Sequence, residues 1–209
     1  LTNDLVFQTV QSSTILFDKN GDFHYDITSA LIKSIRGSDP NAAIYWLARM
    51  IEAGEEITFI ARRLLILASE DIGIANPTAI VIANSTFQAV KSVGYPEGRI
   101  ILSQCVIYLA TSQKSNTSYK AINAAIEKVK NTGGLQVPLQ LRNSPTKLMK
   151  ELGFGNGYKY PHDYENQFTE QDFLPKEIEG TKFYDPGNNS REKKIRNFLK
   201  VRWKDKYDY

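Results

Sequence analysis

Cysteine is nearly absent: among 209 residues only Cys105 carries a thiol. The chain therefore forms no internal disulfide and no cysteine cluster for zinc. Cys105 falls in the apolar helical pattern Ile100 to Ala110, which suits a small buried side chain better than a nucleophile. Histidine is almost as scarce. With His24 and His162 alone, a multi-histidine metal centre is excluded, and Asp163 beside His162 points to local hydrogen bonding. No Gly-x-x-x-x-Gly-Lys-Ser/Thr run occurs, so the backbone cradle and lysine that hold ATP phosphates are missing. No apolar run approaches the roughly 20 residues needed to cross a bilayer, and no basic-then-apolar leader is present. These gaps lead us to expect a soluble, intracellular protein. A first residue of Leu rather than Met is expected of a piece of something longer.

Apolar residues make up 42% of the chain and charged residues 23%, an ordinary globular balance. The length allows one large domain or two small ones, burying roughly 70% of the unfolded surface. Net charge is +3, but residues 191–206 alone hold eight Lys or Arg against Glu192 and Asp205, a local +6. The remainder is net negative, so any attraction to nucleic acid is concentrated at the C-terminal end.

The centre of organisation is residues 36–75. Ser38 or Asp39 can cap a helix whose first residue is Pro40, where no N–H is needed. Ala43, Tyr45, Trp46, Leu47, Met50 and Ile51 give it a wide apolar face, placing Trp46 in the core, and Gly54 lets it end in a left-handed conformation. A second helix carries Phe59, Ile60, Leu64, Leu67 and Ala68 and stops at Gly73. Stripes this broad require packing on more than one side. Around this pair, the 3.6-residue period predicts helices at 24–36, 76–93, about 97–110 and 116–133, with short connections. Residues 18–22 (Asp-Lys-Asn-Gly-Asp) read as a turn, because the spacing and terminal glutamate of an EF-hand are absent.

After residue 134 the texture changes. Pro138 disfavours helix at Val137, a short helix is expected near 145–152, and an aromatic, turn-rich stretch begins at Gly153. A small strand pair fits there. The run Gly153-Phe-Gly-Asn-Gly157 comes after a helix rather than a strand, and reads as a turn rather than a phosphate loop. A final helix over 190–206 places Ile195, Phe198, Leu199 and Trp203 on one side and basic residues around the rest. Domain expectations are a preceding tail at 1–20, a helical collar at 21–133, and a C-terminal segment packed on the bundle at 134–209.

Glu70 and Asp71 are adjacent acids, but helical neighbours point about 100° apart and do not share a site. Arg63 and Glu70, seven apart, do share a face, and a partly buried ion network is expected there. Arg36, Asp39, Arg49 and Arg62 could join it or line a subunit contact. On the last helix, Lys193, Lys194, Arg196, Lys200, Arg202 and Lys204 are candidates for phosphate neutralisation, with Trp203 available for stacking. The alternative is a solvated helix that merely docks through Ile195, Phe198 and Leu199.

Arg36-Gly-Ser-Asp-Pro40, Tyr45-Trp-Leu-Ala-Arg-Met50, Ile60-Ala-Arg-Arg-Leu64 and Ala68-Ser-Glu-Asp-Ile-Gly73 resemble the replication-associated recombination protein A family. That family includes the bacterial maintenance-of-genome-stability ATPase and the eukaryotic Werner-helicase-interacting protein, which are clamp-loader-like AAA+ ATPases. Lys114-Ser-Asn116 with Tyr119, Val137-Pro138 with Leu141-Arg142, Gly153 to Tyr160 with His162-Asp163, Gln171 with Leu174-Pro175, and Phe183-Tyr184 with Pro186 continue the likeness. It departs at Gln113, where proline is expected, at Gln140, where histidine is expected, and near Glu165-Asn166, where a glycine pair is expected.

The resemblance covers only the region C-terminal to the ATPase module. It implies an all-α collar and tail with no catalytic, cofactor or metal residues of its own, ATP and magnesium belonging to the missing N-terminal part. It further implies a homotetramer, DNA of single-stranded or fork type and replication proteins as partners, no membrane, and a cytoplasmic, nucleoid-associated location. The function implied is oligomerisation and DNA association in fork maintenance, recombination and repair. A stand-alone DNA-binding module acting through the basic tail is the alternative.

Overall fold

The computed structural model describes residues 22–204 and 206–209, with side chains from Tyr25 onward. The tail expected at 1–20, most of the turn beginning at Asp18, and the His24 side chain lie outside the described residues. Among the described residues every regular element is helical and there is no strand. The all-α fold holds. Two compact units divide after Asn116.

The first unit comprises α1 (Asp22–Arg36), α2 (Pro40–Glu52), α3 (Ile57–Leu67), α4 (Thr78–Val93) and α5 (Gly98–Thr111). Asp39 proves to be the cap of α2. Its Oδ1 accepts the N–H groups of Asn41 and Ala42 at 3.0 and 2.9 Å, an interaction worth about 1 kcal/mol. Gly54 leaves α2 at φ 75°, as its position predicts. Leu31 and Ile35 from α1, Met50 from α2, Ile60 and Leu64 from α3, Val90 from α4, and Leu102 and Leu109 from α5 meet in one core with no exposed surface. Cys105 is inside it, and burial pushes its thiol pKa up, against a lowering hydrogen bond with Thr86. Trp46 is a correction: it is half-buried and packs against the rim of this core, edge-on to Tyr45 and beneath the Arg49 guanidinium.

Helix α3 does not simply continue to Gly73. Ala68–Ile72 opens into a π-turn, succeeded by a 3₁₀ turn at Gly73–Ala75. Nearby, Lys114 ties the end of α5 to the α1–α2 connection. Its Nζ donates to the carbonyls of Leu109, Ala110 and Ser112 at 3.1, 2.9 and 2.6 Å and to Ser38 Oγ at 3.0 Å. Burial lowers the pKa of this lysine, with Asp71 opposing.

The second unit contains α6 (Thr117–Thr132), α7 (Lys147–Glu151) and α8 (Ser190–Trp203), joined by long irregular connections. Residues 135–138 lack regular structure, and a 3₁₀ turn comes next at Leu139–Leu141. The expected strand pair is replaced by a side chain acting as a strand would. The Gln171 amide donates to Lys159 O at 2.8 Å and accepts from Lys159 N at 3.3 Å. Where glycines are missing, Asn166 and Gln167 adopt φ of 56° and 53°. This is the left-handed region that glycine tolerates best, close to where the resemblance predicts a glycine pair.

Candidate nucleic-acid interface

Helix α8 starts at a polar lock. Asn189 caps it, accepting the Glu192 N–H at 2.9 Å. The Glu192 side chain, with no exposed surface, in turn accepts from Asn189 Nδ2 and from the Thr117 hydroxyl at the head of α6, with Tyr184 OH 3.4 Å away. Burial, and then the charge of Glu192, push the Tyr184 hydroxyl above its usual range. The approach is close enough that a Cβ on Gly187 would lie 2.8 Å from a Glu192 oxygen. This lock sets the rotation of α8 and hence which basic residues face outward.

Lys193 and Lys200, two turns apart, share one exposed face, and exposed Lys204 sits just past the helix end. None of the three makes an ion pair among the described residues. On the adjoining flank, Arg191, Lys194 and the 53%-exposed Phe198 border a cleft of about 500 Å³ that also involves Tyr184, Leu199 and Tyr209. A cationic ridge beside an aromatic cleft suits a strand whose phosphates meet lysines and whose bases meet rings.

The other two candidate basic residues are committed elsewhere. Arg196 pairs with Asp185 at 3.0 Å and donates to the Pro186 carbonyl. Arg202 lies 3.6 Å over the Phe198 ring centroid. Trp203, expected to be available for stacking, instead meets Phe168, Phe173 and Tyr207 edge-on. The rings that line the cleft on this helix are instead Phe198, Tyr184 and Tyr209. Arg191 joins the basic set. The spacing Asn189-x-x-Glu192 is a legible helix-start signal that places Arg191 in the first turn, whereas the tyrosines approach through the chain's irregular course and leave no local pattern.

The residues singled out on the first unit come together in part. Arg36 Nε donates to Asp71 Oδ1 at 2.7 Å, and its NH2 lies 3.8 Å from Glu70. The Asp71 hydrogen bond is the main reason the Arg36 pKa is raised. Both adjacent acids thus reach one arginine, because the π-turn at 68–72 changes the angular spacing that separates neighbours in an α-helix. Arg63 is not part of this cluster. Arg62 is exposed and pairs with Glu56 at 3.3 Å.

The Gly153–Gly157 run is a turn, as its sequence context predicts. In the glycine run, the N–H groups of Phe154, Gly155 and Asn156 bond to Met149, Leu139 and Gly153 carbonyls at 3.0, 2.8 and 3.2 Å. A loop whose donors are spent on its own chain does not cradle phosphate. Among the described residues no three of His, Cys, Asp and Glu gather as a metal ion would require, and no helix is long and apolar enough to cross a membrane.

The family described as "MgsA AAA+ ATPase C terminal" matches residues 37–203, and "AAA C-terminal domain" matches residues 1–36. The Coxiella burnetii protein named replication-associated recombination protein A is 47% identical over 184 residues, 88% of this chain and 42% of the relative. Its Escherichia coli namesake is 42% identical over 196 residues, 93% of this chain and 44% of the relative. The Dictyostelium discoideum protein named ATPase WRNIP1 is 41% identical over 186 residues, 88% of this chain and 21% of the relative. The chain thus spans less than half the length of these curated relatives.

Proposed function

The chain belongs to the MgsA AAA+ ATPase C-terminal family, and from that premise we propose that it assembles and anchors on DNA an ATPase that acts in replication-fork maintenance, recombination and repair. ATP and magnesium are handled by a part of the relatives that this chain does not cover. The corresponding location is the cytoplasm, at the nucleoid.

The observation that carries DNA contact is the exposed ridge Lys193, Lys200 and Lys204 beside the Arg191, Lys194 and Phe198 cleft. Single-stranded or fork DNA is the proposed partner, since open bases can reach the rings. Replacing Lys193, Lys194, Lys200 and Lys204 with Gln is expected to weaken binding to an oligonucleotide. It should also flatten the salt dependence by up to about 0.9 log unit for each phosphate no longer neutralised. An unchanged salt slope with binding intact would remove α8 from the interface.

Self-association is favoured by a different observation. In the first unit Ile66, Ile80, Val81, Ile100 and Ile107 are between 45 and 62% exposed despite the full core beneath them. Apolar side chains displayed on several helices suit a contact between copies, with four copies the proposed number. A strictly monomeric mass in sedimentation equilibrium across micromolar concentrations would defeat this reading.

A further inference from the structure

On the first unit, α1 and α3 border a cleft of about 440 Å³ whose charged lining is basic. Lys33 and Arg36 come from α1, and Arg63 comes from α3. No acid lines it among the described residues. Thr28, 7% exposed, also lines the cleft, and its hydroxyl finds no hydrogen-bond partner among the described residues. The Arg63 Nε–H is likewise buried without an acceptor there, and no described carboxylate pairs with this guanidinium. Arg36 differs, its Nε being held by Asp71 at 2.7 Å. Tyr25 and Phe59 provide an aromatic shoulder.

A buried donor without an acceptor is costly, and one that belongs to a charged group more so. Two such donors on residues that line one cleft together with Lys33 define the ligand by what they lack. It must accept hydrogen bonds, carry negative charge and be small enough to reach between two helices. Arginine's planar fork matches the paired oxygens of phosphoryl and carboxylate groups.

We propose that the cleft between α1 and α3 is an oxyanion-binding site in which Arg63, Thr28 and Lys33 hold a phosphoryl or carboxylate group. The occupant would tie α1 to α3 through charge-assisted hydrogen bonds. The site is independent of α8 and does not rest on DNA contact there.

The test titrates the full chain with inorganic phosphate and, separately, with acetate at constant ionic strength, monitoring the Arg63 Nε–H resonance by nitrogen-15 NMR. A saturating shift is expected with at least one of the two. Saturation by phosphate alone identifies a phosphoryl source, and by acetate alone a carboxylate source such as an acidic side chain. Thr28→Val should weaken binding by about tenfold, the loss of one hydrogen bond to a charged group. Arg63→Gln should abolish the saturating shifts of neighbouring amides, while Lys193→Gln should leave them unchanged. Shifts that grow linearly with both anions overturn the proposal, as does saturation that survives Arg63→Gln. If Arg63→Gln does not fold, the parent's Arg63 resonance and Thr28→Val decide the matter.

Discussion

The two units bury different things. The first fills its interior with Leu31, Ile35, Met50, Ile60, Leu64, Leu102 and Leu109, all without exposed surface. In the second, the buried residues among those described are Pro186 and Glu192, and α6 buries none over its whole length. What holds the second unit is directional: the Glu192 lock, the Gln171 amide on Lys159, the Gln140 amide on Asp172 O at 3.1 Å, and rings around Trp203. Apolar burial is nonspecific and cumulative, at about 25 cal/mol per Å². Polar locks are few, and each matters in proportion to how deeply its groups are buried. The first unit should therefore be the robust one and the second the one that local changes reshape.

Each unit contains one tryptophan, Trp46 in the first and Trp203 in the second. Phe substitution of either leaves a fluorescence reporter for the other, so the comparison can be broken experimentally. The largest effect is expected from Leu64→Ala, which should lower the Trp46-reported stability by about 2–5 kcal/mol, the cost of a large-to-small change in a sealed core. A loss below about 1 kcal/mol in denaturant unfolding would mean that the core is not close-packed.

Next in size is Glu192→Ala. Its partners Thr117 and Asn189 lose a buried acceptor, and about 1–3 kcal/mol should vanish from the Trp203-reported transition while the Trp46 transition stays put. Equal shifts in both would show that the units unfold as one and would end the comparison.

The smallest effect is a pH dependence. Lys206 holds the Asp172 carboxyl below its usual range. At Asp185, burial pushes upward, but hydrogen bonds from Arg196 and Lys182 prevail and its pKa is also lowered. A carboxyl with a depressed folded-state pKa adds stability that is fully present above its unfolded value, near about 4. That stability is lost as pH falls through the folded value. The Trp203-reported stability should therefore sag on acidification, and Asp172→Asn with Asp185→Asn should flatten the sag. Their carboxyl side chains are about half exposed, at 49 and 57%, so the contribution is small. An undiminished acid slope in the double variant would assign it to other groups.

How much of the molecule is legible in its sequence depends on how local each cause is. The helices of the first unit arise from periodicity and from caps such as Asp39 and Gly54, because those signals act within a turn or two of chain. The lysine ridge is legible for the same reason, α8 being a regular helix whose faces can be counted. Trp46 moves from core to rim because a wide apolar stripe does not say which edge of it meets neighbours. Glu70 and Asp71 converge on Arg36 because a π-turn, which no pattern announces, changes their spacing.

Fold class, the family, the capped helices and the concentration of positive charge on the last helix were determined by the sequence alone, since each depends on composition or on residues a few positions apart. Tertiary structure decided which side chains those elements meet. It sent Trp203 into an aromatic cluster, withdrew Arg196 and Arg202 from the exposed ridge, left Thr28 and Arg63 lining one cleft with buried donors unpartnered among the described residues, and grouped α6 with the C-terminal half. The physical reason is range. Backbone preference and amphipathic pattern are written locally, whereas the partner of a long polar or aromatic side chain is set by irregular segments whose path comes from many weak contacts acting together.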